Sequence, residues 1–271
     1  MMRDHSDATK LSRKLPRSAA AELAAGLTRG EIVMCYQPVV RLRDRRPVMV
    51  EALARWHRRS VHIAPDAFVP LAERSGLARR LSIVVASRAG VELGRLHSRL
   101  GIGVSLNLPL LVLQQADLVS WLHRALRHTG LKPANILLEL TETTQVRDVS
   151  ALRRALLRLR AAGYRVLLDD LVLSDERERF FHLAFAGFKL DRSLVMSLPR
   201  DARARREVRR LVRAAHARGQ LVIAEGISDM RLWAVCRGLG IDQAQGFIVS
   251  RPLPAEELTP WWSSWRGRQP G

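Results

Sequence analysis

Short apolar runs rich in β-branched residues recur along the chain, with polar residues at their ends. They are Ile32–Val40, Pro47–Ala54, Gly103–Leu108, Ile136–Leu140, Arg165–Leu168, Phe188–Leu190, Gln220–Ala224 and Ala244–Val249. Their length and residue types are those of strands. Between most of them lie stretches with apolar residues three and four apart, the spacing of an amphipathic helix. In Val149–Ala162, Leu152, Leu156 and Leu159 share one side, Arg153, Arg154, Arg158 and Arg160 fall largely on others, and Gly163 ends the helix. A second helix is predicted over Asp201–Arg218, stopped by Gly219, and a third opens at Pro65–Asp66. Strand and helix in alternation imply a parallel sheet with crossover helices. Eight short strands favour closure, so the predicted fold is α/β, a TIM-like (β/α)8 barrel. The first two runs are joined only by the polar turn Arg43–Arg46, which predicts a hairpin and an antiparallel first strand.

The organisation around this core is simple. Residues 1–30 read as a flexible basic arm followed by a short Ala-rich helix from Ser18, residues 31–265 as one domain, and residues 266–271 as a polar tail. A chain of 271 residues, 47% hydrophobic, suffices for one barrel. The most apolar run, Leu81–Leu93, is broken by Arg88 and is too short to span a membrane. Met1–Lys10 lacks the apolar stretch of a secretory signal. Cys35 and Cys236 form no metal-binding spacing, and two unpaired cysteines suit a reducing, cytoplasmic setting.

The net charge of +19 favours anionic partners through long-range attraction. The predicted helix Asp201–Arg218 carries Arg203, Arg205, Arg206, Arg209, Arg210 and Arg213. No DNA-binding motif accompanies this stripe and aromatic residues are only 5%, so a charged outer helix face is expected and nucleic acid is not. His57 and His62 fall in a basic loop without metal-ligand partners, and His216 reads as a packing residue.

In a parallel α/β barrel, chemistry collects where the strands end. Glu51 lies late in the second run, Asn107 ends the third, and Glu139 and Glu142 end the fourth. Asp169 and Asp170 end the fifth, Lys189 and Asp191 the sixth, Glu225 the seventh, and Gln245 lies in the eighth. One carboxylate after a strand is commonly a helix cap, and one asparagine a turn residue. So many carboxylates converging on one mouth repel each other unless cations sit among them. A constellation of oxygen donors without Cys or His suits Mg²⁺ or Mn²⁺. Two such ions are a known solution for phosphodiester cleavage, and Lys189 is placed to offset transition-state charge or orient water.

These residues stand within Tyr36-Gln-Pro-Val-Val, Glu51-Ala-Leu-Ala-Arg-Trp, Phe68-Val-Pro-Leu-Ala-Glu, Ser105-Leu-Asn-Leu, Leu138-Glu-Leu-Thr-Glu, Asp169-Asp, Lys189-Leu-Asp-Arg-Ser, Ala224-Glu-Gly-Ile, Gln245-Gly-Phe and Ser250-Arg-Pro-Leu-Pro. In this order and spacing, over about Tyr36 to Pro254, the chain resembles the EAL domains that act on cyclic di-GMP. The resemblance implies hydrolysis of that cyclic dinucleotide to linear pGpG. It implies that Glu51, Asn107, Glu139 and Asp169 hold one Mg²⁺ or Mn²⁺, and that Asp169 and Asp170 share a second. It gives Lys189 and Glu225 the attacking water, with Gln245 supporting them. It assigns Gln37, Leu53 and Arg55 to the ligand, Arg55 on a phosphate. It also implies a homodimer as a working state.

Two departures stand out. The family's Asp-Asp-Phe-Gly-Thr-Gly becomes Asp169-Asp-Leu-Val-Leu-Ser, so a loop built on glycine dihedrals is expected to change shape around Val172 and Ser174. The family's Glu-Gly-Val-Glu becomes Glu225-Gly-Ile-Ser, while Glu142, which supports that loop, remains. An active phosphodiesterase is the first expectation. The alternative is a weak or inactive domain serving as a cyclic di-GMP receptor or a regulator of a protein partner.

Overall fold

The computed structural model describes residues 18–59, 61–141 and 146–266. Among these residues nine strands form one sheet: β1 (Ile32–Arg41), β2 (Pro47–Arg58), β3 (Val61–Ile63), β4 (Gly103–Pro109), β5 (Ile136–Thr141), β6 (Arg165–Leu171), β7 (Gly187–Leu190), β8 (Leu221–Ala224) and β9 (Gln243–Gln245). Neighbours run in the order β1, β9, β8, β7, β6, β5, β4, β2, and β1 also pairs β2, so the sheet closes into the predicted barrel. β2 and β4–β9 are parallel where they pair, whereas β1 is antiparallel to both β2 and β9. The expected hairpin is therefore present, and it inserts a reversed strand into the barrel wall.

Three details differ from the sequence-based expectation. β2 runs past Ala54 to Arg58 and turns into β3, so His57 and His62 are cross-strand partners with rings 4.1 Å apart rather than loop residues. The last strand ends at Gln245, because Gly246 takes φ 154° and Ile227 backbone atoms leave no room for a side chain there. His216 is exposed and lies 3.0 Å from Asp242 rather than packing inward.

The helices are α1 (Ser18–Arg29), α2 (Pro65–Arg74), α3 (Ala78–Leu100), α4 (Leu110–Leu113), α5 (Leu118–Leu126), α6 (Val149–Ala161), α7 (Arg192–Ser197), α8 (Ala202–His216), α9 (Met230–Gly238) and α10 (Leu258–Arg266). Their apolar faces cover the strands. On α6, Leu152, Ala155, Leu156 and Leu159 are buried, and on α8 Ala204, Val208, Leu211, Val212 and Ala215. Both begin on aspartate caps, Asp148 accepting from the Ala151 amide and Asp201 from those of Arg203 and Ala204. Trp262 and Trp265 of α10 are buried in the same core as the outward strand residues. None of the described helices is long and apolar enough to cross a membrane.

Candidate active site

Strand periodicity builds the site. Side chains two apart share a face, so each barrel strand stacks its inward residues in layers. One inner layer is apolar: Val39, Met49, Leu137, Leu167 and Ile223 pack together in the barrel. Two residues nearer the strand ends, Met49 is succeeded by Glu51, Leu137 by Glu139, Leu167 by Asp169 and Ile223 by Glu225. A dry floor thus carries a polar ring. Register completes it, with Asn107 opposite Glu139, and Gln37 of the reversed β1 opposite Glu51. Outward neighbours such as Leu138, Leu140, Val166 and Leu168 belong instead to the large core under the helices.

Lys189 sits at the centre of this ring, 1% exposed. Its Nζ lies 3.4 Å from Glu51, 3.1 Å from Glu139 and 3.3 Å from Asp169, and it also pairs with Glu225. Gln245 Nε2 donates to Glu51 Oε2 at 2.6 Å and to Gln37 Oε1 at 2.8 Å. Gln37 in turn donates to the Ser250 carbonyl at 3.0 Å. Asn107 Nδ2 donates to Glu51 Oε1 at 2.8 Å. The sequence-predicted Glu51, Asn107, Glu139, Asp169, Lys189, Glu225 and Gln245 are therefore one connected cluster.

Its electrostatics are lopsided. Among the described residues, Lys189 is the one ammonium against the carboxylates of Glu51, Glu139, Asp169, Asp170 and Glu225. Burial alone would discharge Lys189, but the carboxylates around it hold its pKa well above the usual lysine value. Burial would likewise raise Glu51, but the Lys189 charge and the Gln245 and Asn107 hydrogen bonds outweigh it and lower the pKa. For the others burial wins. Glu139 and Asp169 are raised, Glu225 is pushed up to about 8, and Asp170, beside Asp169, to about 6. Such a cluster takes up protons or cations. Divalent metal fits the donor set. Oxygens of Asp169, Asp170 and Glu225 lie within 4.8 Å of one another, and buried Glu139 Oε1 accepts no hydrogen bond from the described residues.

A cavity of about 460 Å³ opens above the ring and runs toward α2 and α3. Gln37, Leu53 and Arg55 line it with the acidic residues, and Val69 and Leu81 give it an apolar side. Glu142 lies outside the described residues. Two features near the site were not foreseen from the sequence. Ser174 keeps a left-handed bend, φ 58°, without glycine, and Asp170 adopts φ 54°. Arg177 reaches back to the carbonyls of Asp169 and Asp170. An arginine within a run of alternating charges carries no local sign of such a contact.

The sequence model of the EAL domain family matches residues 20–252. The chain belongs to the EAL domain family. Among its curated relatives, an uncharacterised signalling protein of Caulobacter vibrioides is 32% identical over 247 residues, which is 90% of this chain and 30% of that protein. The bifunctional diguanylate cyclase/cyclic di-GMP phosphodiesterase MucR of Pseudomonas aeruginosa is 32% identical over 244 residues, covering 88% of this chain and 35% of MucR. This EAL domain thus spans about a third of the length of those curated relatives. The solved PaMucR phosphodiesterase in complex with c-di-GMP superposes with a TM-score of 0.80 at 30% identity, over 88% of this chain and 98% of that one.

Proposed function

We propose that this EAL domain binds cyclic di-GMP in the mouth cavity and hydrolyses it to linear pGpG. One observation carries the reading: the acidic ring is complete and holds more carboxylate than Lys189 balances. Glu51, Asn107, Glu139 and Asp169 would hold one Mg²⁺ or Mn²⁺, and Asp169 with Asp170 a second. Asn107 spends its nitrogen on Glu51, which leaves its carbonyl oxygen for a cation. When bound, such ions acidify water and offset charge on phosphate oxygens. The chain supplies the remainder. Glu225, with a proton affinity near neutrality, is suited to take the proton of the attacking water, and Lys189 beside it orients the pair. Gln245 and Asn107 fix the Glu51 carboxylate from two sides. Arg55 at the cavity wall offers a guanidinium fork to a phosphate. The substrate and the solitary cysteines both suit the cytoplasm.

The deciding experiment is product analysis of cyclic di-GMP incubated with the purified chain and Mn²⁺, beside Glu51→Ala. Formation of pGpG by the wild type alone is the expected result. Binding without turnover would favour a receptor, the reading suggested by the glycine-free segment after Asp170.

A further inference from the structure

The segment after Asp170 bends without glycine. Asp170 and Ser174 both hold left-handed backbone, φ 54° and 58°, that L-residues adopt only under constraint. The constraint is visible in two side chains. The Asp175 carboxylate accepts from the amides of Val172 at 3.2 Å and Arg177 at 2.9 Å. It also accepts from Arg177 Nε at 2.9 Å and Nη2 at 2.7 Å, a two-pronged pair. The far side of the same guanidinium donates to the Asp169 carbonyl at 2.8 Å through Nη1 and to the Asp170 carbonyl at 2.5 Å through Nη2. Pairs between near neighbours on a surface usually contribute little. This one is shielded, with side chains 14% and 7% exposed, and it grips two consecutive carbonyls. Those carbonyls belong to the residues whose carboxylates converge with Glu225.

We propose that Arg177, held by Asp175, is a positioning residue that fixes the Asp169–Asp170 backbone so that both carboxylates face the divalent-cation site, in place of a glycine-containing loop. The proposal rests on the metal-dependent reading above. Geometry makes it specific to arginine: only a planar fork reaches a carboxylate on one edge and two carbonyls on the other, whereas an ammonium is a point donor.

The test is Mn²⁺ binding to the full chain after EDTA treatment, without nucleotide, followed by electron paramagnetic resonance of free Mn²⁺ and by calorimetry. Partners behind metal ligands are typically worth about 10- to 100-fold in affinity, so Arg177→Met is expected to lose that much while its circular dichroism matches wild type. Arg177→Lys keeps the charge and still loses affinity, and Asp175→Asn loses less than either. A folded Arg177→Met, or an Arg177→Lys, that binds Mn²⁺ as wild type does overturns the proposal. If Arg177→Met does not fold, Arg177→Lys and Asp175→Asn decide by the same comparison. A wild type that binds Mn²⁺ but forms no pGpG defeats the hydrolase reading alone, and the affinities of the variants still decide the role of Arg177. A wild type that binds no Mn²⁺ overturns both.

Discussion

Replacing Lys189 with methionine keeps an unbranched side chain, one heavy atom shorter, and removes the charge that four carboxylates share. Lys189 is 1% exposed and its partners Glu51, Glu139 and Asp169 lie within 3.4 Å. Deleting one side of a buried ion pair costs about 3–5 kcal/mol, because the abandoned charge stays buried. For a domain near this size each kcal/mol shifts Tm by about 2–4 °C, so Lys189→Met without metal should melt about 6–20 °C below wild type near pH 8. The sign of the pH dependence is fixed. Without Lys189 the carboxyls have folded pKa values above their unfolded ones, so the fold is stabilised at low pH and loses stability as pH rises through the folded values. The gap from wild type should therefore narrow toward about pH 5.5, where the cluster carries protons. Added Mn²⁺, seated on the same oxygens, should recover part of the loss. The assay is thermal unfolding in EDTA at both pH values, then with Mn²⁺. A variant that melts within about 2 °C of wild type near pH 8 would refute the account of Lys189 as the counter-charge.

Other outcomes follow from the same geometry. Wild type in EDTA should lose stability as pH rises through the folded values of about 6 for Asp170 and about 8 for Glu225, since the unfolded chain releases those protons lower, and Mn²⁺ should flatten the profile in thermal melts. Gln245→Ala removes the donor that holds Glu51 Oε2 and should lower kcat about 10- to 100-fold with a smaller change in KM, read from steady-state pGpG formation. Gly94→Ala would set a methyl 1.8 Å from the Thr129 carbonyl oxygen and should destabilise by about 1–3 kcal/mol in urea unfolding, with pGpG formation by the folded fraction intact.

The barrel and the acidic ring were legible because one periodicity writes both. Leu137 and Glu139, or Leu167 and Asp169, differ by two positions, so the alternation that marks a strand also states which polar residue shares the inward face. What escaped was set by backbone contacts remote in sequence. Val61–Ile63 is too short to announce a strand, and it forms by pairing with the overlong end of β2. The eighth run looked apolar through Val249, yet Gly246 and the Ile227 backbone end the strand at Gln245. The left-handed Ser174 and the reach of Arg177 depend on carbonyl positions that residue types do not encode.

The reversed β1 also makes the barrel wall uneven. It shares nine register positions with β2 but only three with β9, so the pairing is thin where the first strand meets the last. Across that seam, Gln37 and Gln245 are joined by a side-chain hydrogen bond at the rim of the acidic ring. An occupant of the mouth that engages both glutamines acts as a clasp between the beginning and the end of the domain. The amide of Leu42, which donates across that seam to the Asp242 carbonyl at 2.9 Å, should then exchange more slowly when the mouth is filled, which makes the seam a built-in reporter of occupancy.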